Sequence, residues 1–525
     1  MLFNSTDYAL FLALVLGGYW LLARRAPFRV PRLSFVLVAS SAFYMAWNPW
    51  YLALILFSTL VDWLVARNIA AHEDEAARRR WLYVSVAVNL TLLGTFKYFD
   101  FLGGAVADGL ALLGVSVSPP TLADVAGGLL DVVDPRAPSL EGALPPRLDS
   151  VALPVGISFY TFESLSYCID VYRRKCEPAK TPLELLFFIT FFPKLVAGPI
   201  ARPSDLLPQV QGEPGLTPQK VGEALFLIGT GLVKKVMFAD YVSVNLVDRV
   251  FDAPDNYTAP EVVVALYGFT LQIYMDFSGY TDIARGSAKL FGIELPENFD
   301  RPYQAKNPAE FWRRWHMTLS TWLRDYLYFP LGGSKLGPVR TYVNLWITIF
   351  LIGLWHGASW TFVIYGSLQA SAVVAHRFVT RWQNKPSPVV RTTKEGEGPY
   401  RAQARDEAEE AVDPPWLAAL KIFGTMQFVV FTRILFRASD LDNARAIVGR
   451  IGSGTWGLVN VAPWVWAALV VGFAVHYTPR HWYTSARQRF LALPSFVQGL
   501  LLAGLVALLM QIATTETVPY IYFQF

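Results

Sequence analysis

Gly353-Leu354-Trp355-His356-Gly357 sits inside a stretch, 341–375, whose only ionisable side chain of the Lys, Arg, Asp, Glu or His kind is His356; Arg340 and His376 bound it. As one straight helix this stretch would run about 50 Å at ~1.5 Å per residue. The bilayer hydrocarbon core is only about 30 Å thick. The stretch therefore breaks or tilts, and Gly353, Gly357 and Gly366 are the expected places. Glycine on either side of His356 also leaves room for a ligand near the backbone. An ionisable group at membrane depth is costly and marks a functional site by default. The same histidine could instead be a core residue, its two nitrogens bonded to a carbonyl and a hydroxyl on neighbouring helices.

The rest of the chain agrees with a membrane setting. Of 525 residues, 54% are hydrophobic, 15% aromatic and only 16% charged, where a soluble protein would carry about 25% charged residues. Spanning helices are expected near 7–23, 35–47, 50–66, 82–100, 183–200, 221–239, 260–276, 342–376, 419–436, 461–476 and 494–513. The second and third meet at Asn48-Pro49-Trp50 and could form a tilted or re-entrant hairpin. The chain reads as one all-α polytopic membrane domain, 1–525. A net charge of +4 spread over loops gives no case for nucleic-acid binding. Two cysteines, Cys168 and Cys176, are too few for a disulfide framework and lack metal-site spacing. Walker A, Rossmann and HExxH patterns are absent, so no metal or bound cofactor is expected. The first segment lacks a basic n-region and a cleavage pattern, so it reads as a retained helix.

Lys and Arg accumulate on cytoplasmic loops. Arg24, Arg25, Arg29 and Arg32 follow the first helix, and Arg67, Arg78, Arg79 and Arg80 follow the third; both loops are placed inside. The stretch 101–150, with only Arg136 and Arg147, then falls on the periplasmic side, and 377–418 becomes a cytoplasmic loop. Simple alternation puts Arg433, Arg437, Arg445 and Arg450 outside, against the rule. A re-entrant element or an interfacial amphipathic helix at 438–451 would account for them.

The densest motif runs from Phe311 to Tyr326. Trp312, Trp315, Leu319, Trp322 and Tyr326 recur at spacings of three and four, which is one helical face; Arg313, Ser320 and Arg324 lie on another. His316 and Ser320 are one turn apart, close enough to meet. An amphipathic helix in the membrane interface explains the tryptophans and arginines. It does not explain His316 or the Arg324-Asp325 pair. Polar neighbours for His356 are sought in Asn344 and Ser359, and Trp355 adjoins it. With an unperturbed pKa of ~6.5, His356 suits a general base that takes a proton from a hydroxyl. Three further segments, Pro154–Ser164, Phe191–Ile200 and Tyr274–Gly286, set polar residues in apolar runs. Such backbone is tolerated at membrane depth only inside protein or beside a watery cavity. Together they suggest a polar passage through the bilayer.

These motifs resemble the membrane-bound O-acyltransferase (MBOAT) family, in the bacterial branch of alginate O-acetyltransferase membrane subunits; the D-alanyl transfer proteins of teichoic acid modification are more distant. The matching residues are Ile157–Glu163, Phe192–Pro199, Asp276–Arg285, Phe311–Tyr328, Gly353–Gly357 and the C-terminal Tyr520–Phe525. The resemblance implies a helical bundle enclosing a transmembrane funnel or tunnel. It implies that His356 is the essential catalytic residue and His316 the second signature position. It implies an acyl thioester on the cytoplasmic side, acetyl-CoA in this branch, and an exported polysaccharide acceptor served by a periplasmic SGNH-type acetyltransferase partner in the bacterial inner membrane system. Trp312, Arg313, Ser320, Arg324, Asp325, Asn344 and Trp355 are the expected substrate-binding residues. The arginines at 313, 314 and 324 pair either with donor phosphates or with membrane lipid headgroups. His316 is placed near the cytoplasmic mouth of the passage and His356 deeper. Competing readings are D-alanyl or other acyl transfer to teichoic acid, lipid or protein, a polysaccharide or lipid exporter without chemistry, and a non-catalytic scaffold. Transport needs no general base, so the histidines argue against the exporter.

Overall fold

A computed structural model describes residues 2–23, 29–125, 153–382, 413–512 and 518–521. Every regular element among them is helical, and eight helices are long and apolar enough to cross a membrane. The loops expected at 101–150 and 377–418 fall in part on 126–150 and 383–412, outside the described residues; within the first, residues up to Ala111 continue a helix.

The N-terminal part contains α1 (Thr6–Ala23), α2 (Arg29–Met45), α3 (Leu52–Ala71) and α4 (Glu75–Leu93). Asp74 starts α4 by accepting from the Ala77 N–H at 2.8 Å. A π-helical turn, Gly94–Tyr98, carries α4 into α5 (Phe99–Ala111). Next, α6 (Ile157–Tyr172) packs on α3 and α4 and is buried along almost its whole length. That fits its mixture of apolar and hydroxyl residues. A polar knot joins the three helices: Asp62 accepts from Ser85 Oγ at 2.5 Å, from Asn89 Nδ2 at 3.0 Å and from Cys168 Sγ, on α6, at 3.5 Å.

The expected span at 183–200 does not form. α7 (Pro182–Thr190) stops, and a single turn, Phe192–Leu195, restarts after it. Pro193 cannot donate to the helix ladder and its ring crowds the carbonyl four residues back, so the helix breaks. The broken stretch is buried inside protein, where irregular backbone is tolerated. It is held by a buried ion pair, Lys194 Nζ to Glu163 Oε2 at 2.5 Å, and by the Ala201 N–H to Glu163 Oε1 at 3.2 Å.

At the centre, α8 (Pro218–Leu232) packs along α9 (Ala259–Leu290). Thr258 and Glu261 form a capping box that opens α9. In α9, 83% of the most apolar stretch is buried, against 11% in the helix Ser495–Ile512; α9 is the core of the bundle and Ser495–Ile512 lies on its surface. α8 and α9 cross at glycines: a Cβ on Gly231 would lie 2.6 Å from the Gly279 carbonyl oxygen, so the backbones touch as small residues allow. Beyond α8, Lys235 pairs with Asp276 at 2.6 Å and Asp240 at 2.7 Å. The chain's tail seats here: the Ile521 N–H donates to Asp276 Oδ2 at 2.8 Å.

The site region comprises α10 (Pro308–Arg314), α11 (Met317–Leu323), α12 (Pro338–His356), α13 (Trp360–Trp382) and α14 (Pro415–Arg437). The single long stretch 341–375 is resolved into α12 and α13, which fold back on each other through Gly357–Ser359. Of the three glycines expected to break it, only Gly357 does. Gly353 and Gly366 are instead where the two helices touch: a Cβ on Gly353 would lie 2.3 Å from the Gly366 Cα. After α14 come α15 (Leu441–Ile451), α16 (Pro463–Tyr477), α17 (Arg480–Leu491) and α18 (Ser495–Ile512). α15 is amphipathic, burying Ala444 and Ile447, and covers most of the segment for which a re-entrant element or an interfacial helix is expected. The arginines there are tied to protein: Arg437 pairs with Asp248 at 2.7 Å, Arg445 with Asp442 at 2.6 Å, and Arg450 donates to the Tyr257 carbonyl.

Candidate active site

His356 is the last residue of α12 and is 3% exposed. A helix end leaves carbonyls without intrahelical partners. Here the π-turn between α4 and α5 supplies them: Lys97 Nζ donates to the Trp355 carbonyl at 2.5 Å and Tyr98 OH to the Leu354 carbonyl at 3.1 Å. A cation at a helix C-terminus also suits the helix dipole. His356 is thus held from the backbone side. Around its ring lie Trp355 (5.0 Å between centroids), Phe436 (4.9 Å) and Phe362 (6.4 Å). The expected free space at Gly357 is filled: a Cβ there would meet the Phe362 ring at 2.2 Å.

His316 is fully buried and lies between α10 and α11, with φ 45°. The continuous amphipathic helix expected over 311–326 therefore breaks at His316. Its tryptophans face the protein interior, not lipid headgroups: Trp312, Trp315 and Trp322 are 4%, 1% and 6% exposed. Left-handed backbone is uncommon for a residue with a side chain, and Asn298 holds it there. Met317 N donates to the Asn298 carbonyl at 2.9 Å. The Asn298 side-chain oxygen accepts from Thr318 N at 3.2 Å and Thr318 Oγ1 at 2.9 Å, and faces His316 Nδ1 at 3.2 Å. A backbone N–H can only donate, so that atom of Asn298 is an acceptor, and Nδ1 carries the proton facing it. Nε2 then bears the lone pair of the neutral ring.

One indole touches both histidines: Trp355 is 5.7 Å from the His316 ring and 5.0 Å from the His356 ring. The two histidines therefore share one aromatic neighbour, and His316 is buried. From Trp355 a file of rings leads away through Phe162 (5.9 Å), Trp322 (4.2 Å further) and Tyr326 (5.0 Å beyond). It ends at a charged cluster. Arg202 lies over Tyr326 at 4.6 Å and pairs with Asp325 at 3.0 Å, Arg324 pairs with Asp325 at 2.8 Å, and Arg173 lies over Tyr326 at 5.4 Å. At the α12–α13 turn is a cavity of about 430 Å³, lined by Lys97, Gly357, Ser359, Thr361, Phe362 and Arg437 among others; His356 itself lines, with Lys97 and Trp355, a smaller void of about 20 Å³.

Of the expected substrate-binding residues, the structure brings Trp355 to the histidines and puts Arg324 and Asp325 at the far end of the ring file. Trp312 bonds Gln369 Oε1 at 3.3 Å, and Gln369 in turn bonds Thr432 Oγ1 at 2.9 Å, tying α10 to α13 and α14. Arg313 is half-buried, within electrostatic reach of His376. Arg314 is already paired with Glu310 at 2.7 Å. Ser320 turns its hydroxyl to the Trp315 carbonyl at 3.4 Å, because the break at His316 leaves that carbonyl outside the α11 ladder. Asn344 is a correction. It lies twelve positions before His356, about 18 Å along a helix rising ~1.5 Å per residue. It serves the loop before α12, donating to the Leu331 and Gly333 carbonyls at 3.0 and 3.1 Å. Ser359 does line the cavity beside His356, bonded to Thr361 at 2.8 Å. Sequence reasoning missed Lys97, Asn298 and Arg433. Among the described residues no group of three or more metal-binding side chains occurs.

The described bundle thus buries two histidines against one indole, at the head of a file of rings. Comparison with known proteins says which reaction class this frame serves. The model of MBOAT, the membrane-bound O-acyltransferase family, matches residues 179–395. The chain is 33% identical to the probable alginate O-acetylase AlgI of Pseudomonas putida over 100% of both chains. It is 38% identical to that of Azotobacter vinelandii over 88% of this chain and 80% of the relative. It is 34% identical to the peptidoglycan O-acetyltransferase of Helicobacter pylori over 72% of this chain and 70% of the relative. The chain belongs to the membrane-bound O-acyltransferase family and is a multi-pass membrane acyltransferase.

Proposed function

We propose that this protein transfers an acetyl group from acetyl-CoA, presented on the cytoplasmic side of the bacterial inner membrane, toward an exported polysaccharide of alginate type, with His356 as the general base. The observation that carries the reading is the shared contact of His316 and His356 with Trp355, at the head of the ring file and next in the chain to the cavity at Gly357. With the basic loops inside, α12 runs outward, so His356 and its cavity lie in the outer half and the Arg173–Arg202–Arg324 cluster lies inside. The donor's phosphates then meet that cluster, and its acyl arm follows Tyr326, Trp322 and Phe162 to Trp355. The acceptor hydroxyl enters from the outer cavity.

The bond changes follow from the chemistry of thioesters. His356 removes the hydroxyl proton as the oxygen bonds the acyl carbon, and the carbonyl electrons move to oxygen. The tetrahedral species collapses, the C–S bond breaks, and the thiolate leaves and takes up a proton. A thiolate is a good leaving group, so no strong acid is needed. His316, oriented by Asn298, is placed to hold the thioester. The acceptor is either the polymer or a periplasmic SGNH-type transferase that passes the group on. Relatives named as alginate O-acetylases that cover 100% and 88% of the chain favour the acetyl reading over D-alanyl transfer. The test is incubation of purified protein with radiolabelled acetyl-CoA, with and without polymer and partner. Transfer of label from acetyl-CoA supports the reading; transfer only from a D-alanyl carrier protein replaces the donor.

A further inference from the structure

Several lysines inside the bundle are paired with carboxylates. Lys194 meets Glu163 at 2.5 Å, Lys234 meets Asp282 at 2.6 Å, and Lys235 meets Asp276 and Asp240 at 2.6 and 2.7 Å. Arg433, on α14, breaks this pattern. It is 1% exposed, it forms no ion pair among the described residues, and its Nε and Nη2 have no hydrogen-bond partner among them. Its guanidinium lies over Trp315 at 4.7 Å and over Phe436 at 5.1 Å. Trp315 precedes His316, and Phe436 is the ring that touches His356 at 4.9 Å. Arg433 therefore sits in the aromatic shell that joins the two histidines. Stacking on rings recovers only part of what it costs to bury an unpaired cation. An unpaired guanidinium buried this close to the two histidines is a positive charge ready for an anion.

The reaction supplies one. A thioester has no charged atom near its carbonyl, and the phosphates of a pantetheine-type donor lie at the other end of its arm. The charge that appears near His356 is the one created when the acceptor oxygen attacks and the carbonyl electrons move to oxygen. We propose that Arg433 is a further catalytic residue, whose guanidinium holds the oxyanion of the tetrahedral intermediate; this rests on the acyl-transfer reading above. The Arg433 charge is already in place before the step, so no reorganisation is needed as the anion forms. When the intermediate collapses, the negative charge passes to the departing thiolate, which takes the proton held by His356, and Arg433 returns to its unpaired state.

The experiment compares wild type, Arg433→Met and Arg433→Lys in detergent. It reads melting temperature, turnover at saturating labelled acetyl-CoA, hydrolysis of acetyl-CoA without acceptor, and binding of the unreactive ketone analogue acetonyl-CoA. Replacing an unpaired buried charge with an apolar side chain of similar length is neutral or stabilising. Arg433→Met is therefore expected to melt no lower than wild type, to bind the analogue normally, and to lose about 100- to 1,000-fold in turnover and hydrolysis alike. Arg433→Lys, keeping the charge, is expected to retain more turnover than Arg433→Met. Wild-type turnover in Arg433→Met overturns the inference. So does a fall in melting temperature that accounts for the lost activity, which makes Arg433 structural. So does a loss seen with an acidic acceptor but not in hydrolysis, which makes it an acceptor-binding residue. Absence of any acetyl transfer by wild type would instead remove the acyl-transfer reading itself.

Discussion

Replacing Asn298 with Ala tests how the second histidine is held. The substitution removes one oxygen that faces three donors: His316 Nδ1 at 3.2 Å, Thr318 N at 3.2 Å and Thr318 Oγ1 at 2.9 Å. All three residues are buried. Each buried donor left without a partner costs about 1–3 kcal/mol. The donors share one neighbourhood and relax together, so the costs are not additive, and a total on the order of 3 kcal/mol is expected. The functional effect is smaller. A net orienting hydrogen bond of about 1 kcal/mol corresponds to about five-fold in rate. Asn298→Ala should therefore melt clearly lower than wild type in detergent, while turnover per folded molecule falls only several-fold. Asn298 acts through His316, so Asn298→Ala/His316→Ala should turn over no more slowly than His316→Ala alone. Losses that multiply in the double variant would refute that coupling, and a wild-type melting curve for Asn298→Ala would refute the hydrogen-bond account itself.

Glu163→Gln leaves the fully buried Lys194 charge unpaired and should destabilise the protein by about 3–5 kcal/mol. Glu163→Met/Lys194→Met should melt above Glu163→Gln, and the reverse order in a thermal-shift assay would sink the ion-pair argument. Gly353→Leu forces α12 and α13 apart where a Cβ would already lie 2.3 Å from the Gly366 Cα. It should abolish turnover by moving His356, and a fully active Gly353→Leu protein would show that the helix contact does not set the site. Ser439→Cys, in a background with Cys168 and Cys176 replaced, should react with an impermeant maleimide once the outer membrane alone is opened. Glu73→Cys should react only after the inner membrane is broken; the opposite pattern inverts the topology.

The membrane class and the two histidines were legible because each rests on a local signal: long apolar runs, and rare ionisable residues within them. The rule that singled out His356 applies equally to Lys97, in Thr95-Phe96-Lys97-Tyr98, and to Arg433, in Phe431-Thr432-Arg433-Ile434. Neither stands out in the sequence, because a basic residue near the end of a span also reads as an interfacial anchor or a loop charge. The Trp stripe misled for a related reason. Its periodicity is real, but the same spacing serves an interfacial helix and one buried in a bundle, and only the break at His316 tells them apart. Asn344 looked like a partner of His356 because both are polar residues in an apolar stretch; twelve positions of helix separate them. Asn298 was out of reach of any local rule, since its link to His316 crosses an eighteen-residue gap. The role of Gly353 and Gly366 as a helix contact rather than a break depended on knowing that the chain turns at Gly357.

The central claim is that His356 is the base. The decisive measurement is acetyl transfer from labelled acetyl-CoA by wild type, His356→Ala and His316→Ala, each purified and normalised to folded protein. Loss of a positioned base should lower the His356→Ala rate on the order of 100- to 10,000-fold. His316→Ala should lose less, because it removes an orienting contact and leaves the base. Near-normal transfer by well-folded His356→Ala would contradict the account. Equal loss in both variants would show that the histidines around Trp355 act as one unit and not in divided roles.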